Sequence, residues 1–239
     1  MSPAAYNSEQ QTLEVISKAD RFNRWMYETI RPHCHGNILE IGSGVGNISS
    51  FFVHDNFQIT LSDVNAYYLQ QLKNKFDGAS NLKSIIFLDL QQEGFQNTHG
   101  EMQNFFDTVF LLNVLEHIEH EDRAVDNCKY LLKKGGTLIV LVPAYSWLHS
   151  KLDKELHHWR RYTLRQLNRL FIANNFLVKN QFYFNAVGIG AWLYAKVFGL
   201  SHVPQKEMKL YNKVVPVAKW IDKIVQGKFG LSAIIIGEK

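Results

Sequence analysis

Asn37-Ile38-Leu39-Glu40-Ile41-Gly42-Ser43-Gly44-Val45-Gly46-Asn47-Ile48 is the stretch that decides the fold. A short apolar strand runs into glycines at 42, 44 and 46 and then into an apolar-periodic segment. That is the pattern of a parallel strand, a tight turn and a helix whose open N-terminus faces a ligand. A fingerprint of the form G-x-G-x-x-G would put its third glycine at 47, where this chain has Asn47. A pyrophosphate needs exposed N–H groups and the positive end of a helix; a ligand without phosphates there needs mainly a backbone that stays out of its way. The Glu40 carboxylate just ahead of the turn would repel a phosphate and receive a hydrogen bond from an ammonium group or its water. The run suits the cationic end of an amino acid, with an ordinary glycine-rich turn as the plain alternative.

Outward from this turn, the 239 residues suffice for one large α/β domain, and the chain opens at Met without a charged-then-apolar leader. Cys34 and Cys128 are far apart, which is no disulfide framework and makes a reducing cytoplasm the expected compartment. The net charge is +4, but the basic residues are spread among acids, so no nucleic-acid partner is expected.

Before the turn, Leu13, Ile16, Ala19, Phe22, Trp25, Met26 and Ile30 recur at helical spacing, predicting one or two amphipathic helices. They are either a packed flank or a lid. After it, alternation predicts strands at about 37–41, 58–61, 83–87, 106–112 and 137–142, with helices at about 45–54, 66–76 and 119–132 between them. Lys133-Lys134-Gly135-Gly136 reads as the end of the last of these helices. The strands deliver polar groups to one edge: Asp63-Val64 after the second, Asp89-Leu90 after the third, Asn113-Val114-Leu115-Glu116-His117 after the fourth. In an open parallel sheet that edge is where ligands bind. Asp63 can take two hydrogen bonds from ribose hydroxyls or cap the next helix, and Asp89 can receive an exocyclic amine.

This set resembles the class I S-adenosylmethionine-dependent methyltransferases, in the broad group (types 11 and 12) that includes the ubiquinone- and menaquinone-pathway enzymes. The resemblance rests on Glu40 to Gly46, Asp63, Asp89-Leu90, Asn113 to His117 and Lys134-Gly135-Gly136, and spans roughly residues 36–184. It implies S-adenosyl-L-methionine as cofactor, S-adenosyl-L-homocysteine as product, and a small-molecule acceptor attacking the sulfonium methyl. It places Gly42, Ser43, Gly44 and Gly46 beneath the methionine part, with Glu40 near its ammonium. Asp63 with Val64 would bind the ribose, Asp89 with Leu90 the adenine, and Asn113 with Val114 the methionine end. His117 would contact ligand or cap the helix that follows. A nucleic-acid or protein methyltransferase, or a cofactor-binding protein that transfers nothing, are the alternatives. No Asn-Pro-Pro-Tyr-like tetrapeptide follows the fourth strand.

On the acceptor side, the chain reads Tyr145, Trp147 and His149, then Asp153, His157, His158, Arg160, Arg161 and Tyr162. Proline and the polar-aromatic mixture predict a connection over the catalytic edge. His157 and His158 are the candidate general bases, with Tyr145 and His149 behind them. Arg160, Arg161, Tyr162 and Trp147 are the candidate substrate contacts; either arginine would bind a substrate carboxylate or phosphate, or pair with Asp153 and hold the loop. Thr163 reads as the N-cap of a helix at 164–174. The histidine spacing, without a second ligand set, predicts no metal site.

A strand is expected at 177–184. The apolar run 186–200 falls short of a membrane span, and 208–225 reads as a basic amphipathic helix broken near Pro216. The pair forms a lid, or a peripheral surface for a membrane or lipid-like substrate. The expected architecture is α/β: a Rossmann-like, seven-stranded, mostly parallel sheet with strand seven antiparallel, N-terminal helices and a helical insertion between strands six and seven. Its segments are a helical cap (1–35), the cofactor-binding core (36–184), a substrate or lid insertion (185–228) and the final strand (229–239). The oligomeric state is not legible.

Overall fold

The computed structural model of the chain describes residues 12–200 and 205–239. Seven strands form one sheet: β1 (Ile38–Ile41), β2 (Ile59–Asp63), β3 (Leu82–Phe87), β4 (Phe106–Leu112), β5 (Leu132–Pro143), β6 (Leu177–Phe184) and β7 (Ser232–Glu238), in the order β3-β2-β1-β4-β5-β7-β6. The first five run parallel, and β7 inserts antiparallel between β5 and β6. The helices include α1 (Asp20–Ile30), α2 (Ser49–His54), α3 (Ala66–Lys75), α4 (Glu121–Leu131), α5 (Lys151–Glu155), α6 (Leu164–Ala173), α7 (Ala186–Val197) and α8 (Gln205–Val225), with shorter helical turns besides.

The central strands read as continuous apolar runs because both sheet faces are covered. Along β4, Val109 and Leu111 point to one core and Phe110 to the other; along β5, Leu138, Val140 and Val142 oppose Ile139 and Leu141. One core packs against α4 and α6 through Val125, Cys128, Leu167 and Phe171. The other packs against α1, α2, α3 and α8 through Trp25, Phe52, Leu72 and Val215. Cys34 and Cys128 are buried and unpaired.

The insertion is tied to the body by polar side chains that supply acceptors at helix starts. Asn212 of α8 accepts from the N–H groups of Arg21 and Phe22 at the start of α1, at 3.0 and 3.1 Å. Asp222 of α8 accepts from Asn185 and Ala186 at the start of α7, at 2.6 and 2.8 Å. These amides have no partner within their own helices, so α8 locks both ends by satisfying them. Among the described residues no helix is long and apolar enough to cross a membrane.

Two expectations are corrected. The helix after β4 ends at Leu131, and Lys133 to Gly136 already belong to β5, where Leu132 pairs with Phe106. Gly135, at φ +77°, lets the strand shift register there, so the glycines mark an irregularity inside the strand. The second insertion helix runs unbroken from Gln205 to Val225 with Pro216 inside it. Tertiary packing of Val215 and Ala218 outweighs the hydrogen bond that proline removes.

Candidate active site

The three glycines of the turn after β1 all hold positive φ: +72° at Gly42, +53° at Gly44 and +74° at Gly46. Gly42 also lacks room, since a Cβ there would run into Val114 Cγ2. At Gly46 it would stand 2.8 Å from Phe76 and 2.9 Å from Leu72. The turn is thus pressed between the strand-four exit and α3, and side chains are excluded by sterics as well as by backbone conformation.

Around the turn lies a cavity of about 940 Å³ at the C-terminal edge of the sheet. Glu40, Gly42, Ser43, Gly44, Asp63, Val64, Asp89, Leu90, Asn113, Val114 and His117 all line it, while Gly46 forms the turn behind. Glu40 is buried and accepts from Ser49 Oγ. Burial outweighs that bond and the Lys75 charge, and its carboxyl is pushed up to about 7. Asp63 Oδ2 accepts from Gly44 N at 2.9 Å and Oδ1 from Asn65 N at 2.9 Å. The N-cap of α3 is Asn65, which accepts from Tyr67 N at 2.9 Å. Asp63 therefore braces the glycine turn, and each oxygen keeps acceptor capacity toward the cavity. Burial raises its pKa. Asn113 leaves β4 at φ +54°, a conformation uncommon for a side-chain-bearing residue, and its N–H is held by Leu141 O at 2.8 Å.

The opposite wall comes from the loop after β5. Asp153 is fully buried and accepts from Ser150 N at 2.8 Å, Ser150 Oγ at 3.0 Å, His158 Nδ1 at 2.9 Å and Arg161 Nε at 2.7 Å. The Ser150 bonds form a capping box that starts α5. The His158 and Arg161 partners hold the Asp153 carboxyl well below the usual carboxylate range despite burial. Arg161 is thus the loop-holding arginine. Its side chain is completely buried, and it also donates to Ala144 O at 3.1 Å. Arg160 instead pairs with Glu121 at 3.0 Å.

His157, His158, Trp159 and Arg161 line the cavity; Tyr145, Trp147, His149, Arg160 and Tyr162 do not. Tyr145 is stacked between Trp147 and Tyr183, and Tyr162 donates to Glu121 at 2.6 Å. His149, Arg160 and Tyr162 face a separate, shallower pocket. Thr163 caps α6 with Gln166, as its sequence position predicts.

One residue escaped sequence reasoning as a chemical group. Glu116 lines the cavity, is 0% exposed, and has no hydrogen-bond partner at either carboxylate oxygen. Burial pushes its carboxyl up to about 8, against the opposing pull of its own amide and of Arg161. Burial also brings the His117 imidazole down to about 3. The available signal was a charged residue wedged between Leu115 and Ile118, both buried.

Comparison with known proteins agrees with this architecture. Residues 39–138, from β1 into β5, match the family described as "Methyltransferase domain". Lovastatin diketide synthase lovF of Aspergillus terreus is 29% identical over 163 residues, covering 58% of this chain but 6% of that far longer protein. A SAM-dependent methyltransferase from Archaeoglobus fulgidus shares the fold at 16% identity, with a TM-score of 0.58, over 91% of this chain and 94% of that one. Phosphoethanolamine N-methyltransferase 2 of Haemonchus contortus does so at 15% identity, with a TM-score of 0.59, over 88% of this chain and 51% of that one. In strand order, in the glycine turn cradled by Val114 and Phe76, in the strand-end acids and in the matched domain, the chain is similar to the class I S-adenosylmethionine-dependent methyltransferases and shares their fold.

Proposed function

We propose that the chain moves a methyl group from S-adenosylmethionine to a small, largely apolar acceptor held in the same cavity, by direct nucleophilic displacement. The observation that carries this reading is the continuity of the cavity. It joins Gly42, Asp63 and Asp89 to His157 and His158, and then to Trp192, Leu210 and Val214 of the insertion helices. A space of this size suits a ligand pair and lies in the usual range of small-molecule sites.

S-adenosylmethionine supplies, when bound, an electrophilic methyl on a sulfonium sulfur. Glu40 and the Gly42 to Gly46 turn would receive its amino-acid end, Asp63 with Val64 its ribose, Asp89 with Leu90 its adenine, and Asn113 with Val114 the region near sulfur. The residues present fit that group: glycines at 42, 44 and 46 leave those positions of the turn free of side chains, and the acids at two strand ends have acceptor capacity to spare. His157 and His158 stand where the acceptor's proton would leave. The segments before β1 and between β6 and β7 cover the acceptor space and exclude water, aligning donor and acceptor. Substrates of the relatives, among them phosphoethanolamine, are compatible with a small acceptor.

In the same reading the outer face of the insertion rests on a lipid surface or a lipid-like acceptor. Val217, Trp220 and Ile224 of α8 are 58%, 63% and 59% exposed on one helical side, with Lys213 and Lys223 nearby in sequence. Incubation with methyl-labelled S-adenosylmethionine and fractionated small-molecule extracts tests the activity. Label should enter a small organic product with stoichiometric S-adenosylhomocysteine; label retained only in the cofactor would refute transfer. Co-sedimentation with anionic vesicles tests the surface, and loss of pelleting in Trp220→Ser with Ile224→Ser is the expected result. Equal pelleting of both proteins would refute it.

A further inference from the structure

Glu116, His117 and His158 converge on the cavity wall, each offering a ligand atom within 4.8 Å of the others. Glu116 and His117 stand at the exit of β4, and His158 lies far along the chain. The fold joins them because Trp159 N–H donates to the Glu116 carbonyl at 2.8 Å, which lays the 157–159 segment against that exit.

Glu116 presents the problem that the cluster solves. A buried carboxyl group with two unpartnered oxygens is rare in native proteins and lowers stability. Arg161 is close enough to attract it, yet Arg161 Nη2 is itself buried without a partner, so the guanidinium does not satisfy the acid. His158, by contrast, is oriented. An ionised Asp153 can only accept, so His158 Nδ1 carries the proton of that bond, and Nε2 is left with its lone pair. The His117 and His158 rings meet edge to face, 4.8 Å between centroids. An imidazole oriented by a carboxylate through its other ring nitrogen, a second imidazole packed against it, and an acid with free oxygens are the arrangement of a metal site.

We propose that Glu116, His117 and His158 bind a divalent transition-metal ion, zinc as the expected occupant, whose open positions face the cavity and take an oxygen of the methyl acceptor. Two imidazoles and one carboxylate are the ligand set of catalytic zinc centres. Ligand bonds of about 2.0–2.2 Å in tetrahedral geometry put ligand atoms about 3.4 Å apart, so metal binding draws together atoms that already lie within 4.8 Å. The ion supplies the partner that the Glu116 oxygens lack, while Asp153 is already matched by Arg161.

This assignment of the acceptor atom rests on the methyltransferase reading of the cavity. An acceptor hydroxyl bound to the ion gives up its proton at lower pH than when free, and His157 on the same cavity wall is the group left to take it. The oxygen lone pair then forms the new C–O bond as the donor's S–C bond breaks, and that electron pair stays on sulfur.

Chelator-treated full-length protein is titrated with Zn²⁺ by equilibrium dialysis and with Co²⁺ by visible absorption. S-adenosylhomocysteine binding is measured on the same samples. One equivalent of metal is expected, with affinity reduced at least ~100-fold in Glu116→Gln and in His158→Ala, and roughly 10–100-fold in Asp153→Asn through the lost orienting bond. Thermal melts of the metal-free variants establish that each is folded; His158→Gln serves where His158→Ala is not. No stoichiometric metal in the wild-type chain would overturn the site, as would undiminished binding in folded Glu116→Gln and His158 variants. Metal binding without S-adenosylhomocysteine binding would sustain the ion site and remove the methyltransferase reading; the converse would do the reverse.

Discussion

Replacing Asp153 with alanine takes away the one acceptor shared by Ser150, His158 and Arg161 and leaves the Arg161 guanidinium buried without its hydrogen-bonded carboxylate. Both side chains of the Asp153–Arg161 pair are 0% exposed, so solvent cannot substitute for the lost carboxylate. Removing one partner of such a buried pair destabilises by about 3–5 kcal/mol. For a chain of this size each kcal/mol moves the melting temperature by roughly 2–4 °C, so the variant should melt about 6–20 °C below the wild type. Arg161→Met should also destabilise, and Asp153→Leu with Arg161→Met should recover much of the loss, because the pair is then replaced by apolar packing. Because partners depress the Asp153 pKa in the folded state, its contribution is present above the unfolded carboxylate pKa. It is lost only as pH falls through the depressed value. The gap between wild type and Asp153→Ala should therefore be constant from pH 5 to 8 and close only in strong acid. Urea melts across pH would measure it. A loss below ~1 kcal/mol, or strictly additive single and double substitutions, would refute the account of this loop.

Gly42→Ala should lose about 1–3 kcal/mol in urea melts from its φ of +72° and from contact with Val114, and Val114→Ala in the same chain should return only the contact part. Equal stability of Gly42→Ala and wild type would show that the turn is not pressed as described. Glu40 keeps its proton to about 7 in the folded state against 4.5 for a fully hydrated glutamate, so wild-type stability should fall as pH rises across that interval and level off above it. Glu40→Gln does not ionise and should gain about 3 kcal/mol on the wild type between pH 4 and pH 8.5, seen as diverging urea midpoints; parallel midpoints would contradict it.

Much of this molecule was legible because its signals are local. β4 and β6 fall on the expected bounds, 106–112 and 177–184, and Thr163 caps the helix its position predicts. The glycine turn and the strand-end acids were likewise legible, since the parallel topology sends every such end to one edge. What escaped is settled by packing. Gly135 and Gly136 resemble a helix stop, but the register shift they permit depends on pairing with β4. Pro216 should break a helix standing alone, yet Val215 and Ala218 are buried against α1 and the sheet. Either arginine could have held the loop, and the geometry of Asp153 selects Arg161. Glu116 meets His158 only through the backbone bond from Trp159, so no spacing rule could assemble that group. The aromatic and basic residues Tyr145, Trp147, His149, Arg160 and Tyr162 share the same connection but turn away from the cavity, since β5 and β6 take Tyr145 and Tyr162 into their own packing.

The central claim is that the cavity beside Gly42 to Gly46 holds S-adenosylmethionine. Isothermal titration of S-adenosylhomocysteine into the wild-type chain and into Asp63→Ala tests it most directly. The account predicts saturable binding of one equivalent to the wild type, weakened in a folded Asp63→Ala by about 1.5–3 kcal/mol, roughly 10- to 150-fold, for lost hydrogen bonds to a charged acceptor. No saturable binding to the folded wild type, or identical affinity in the two proteins, would contradict it.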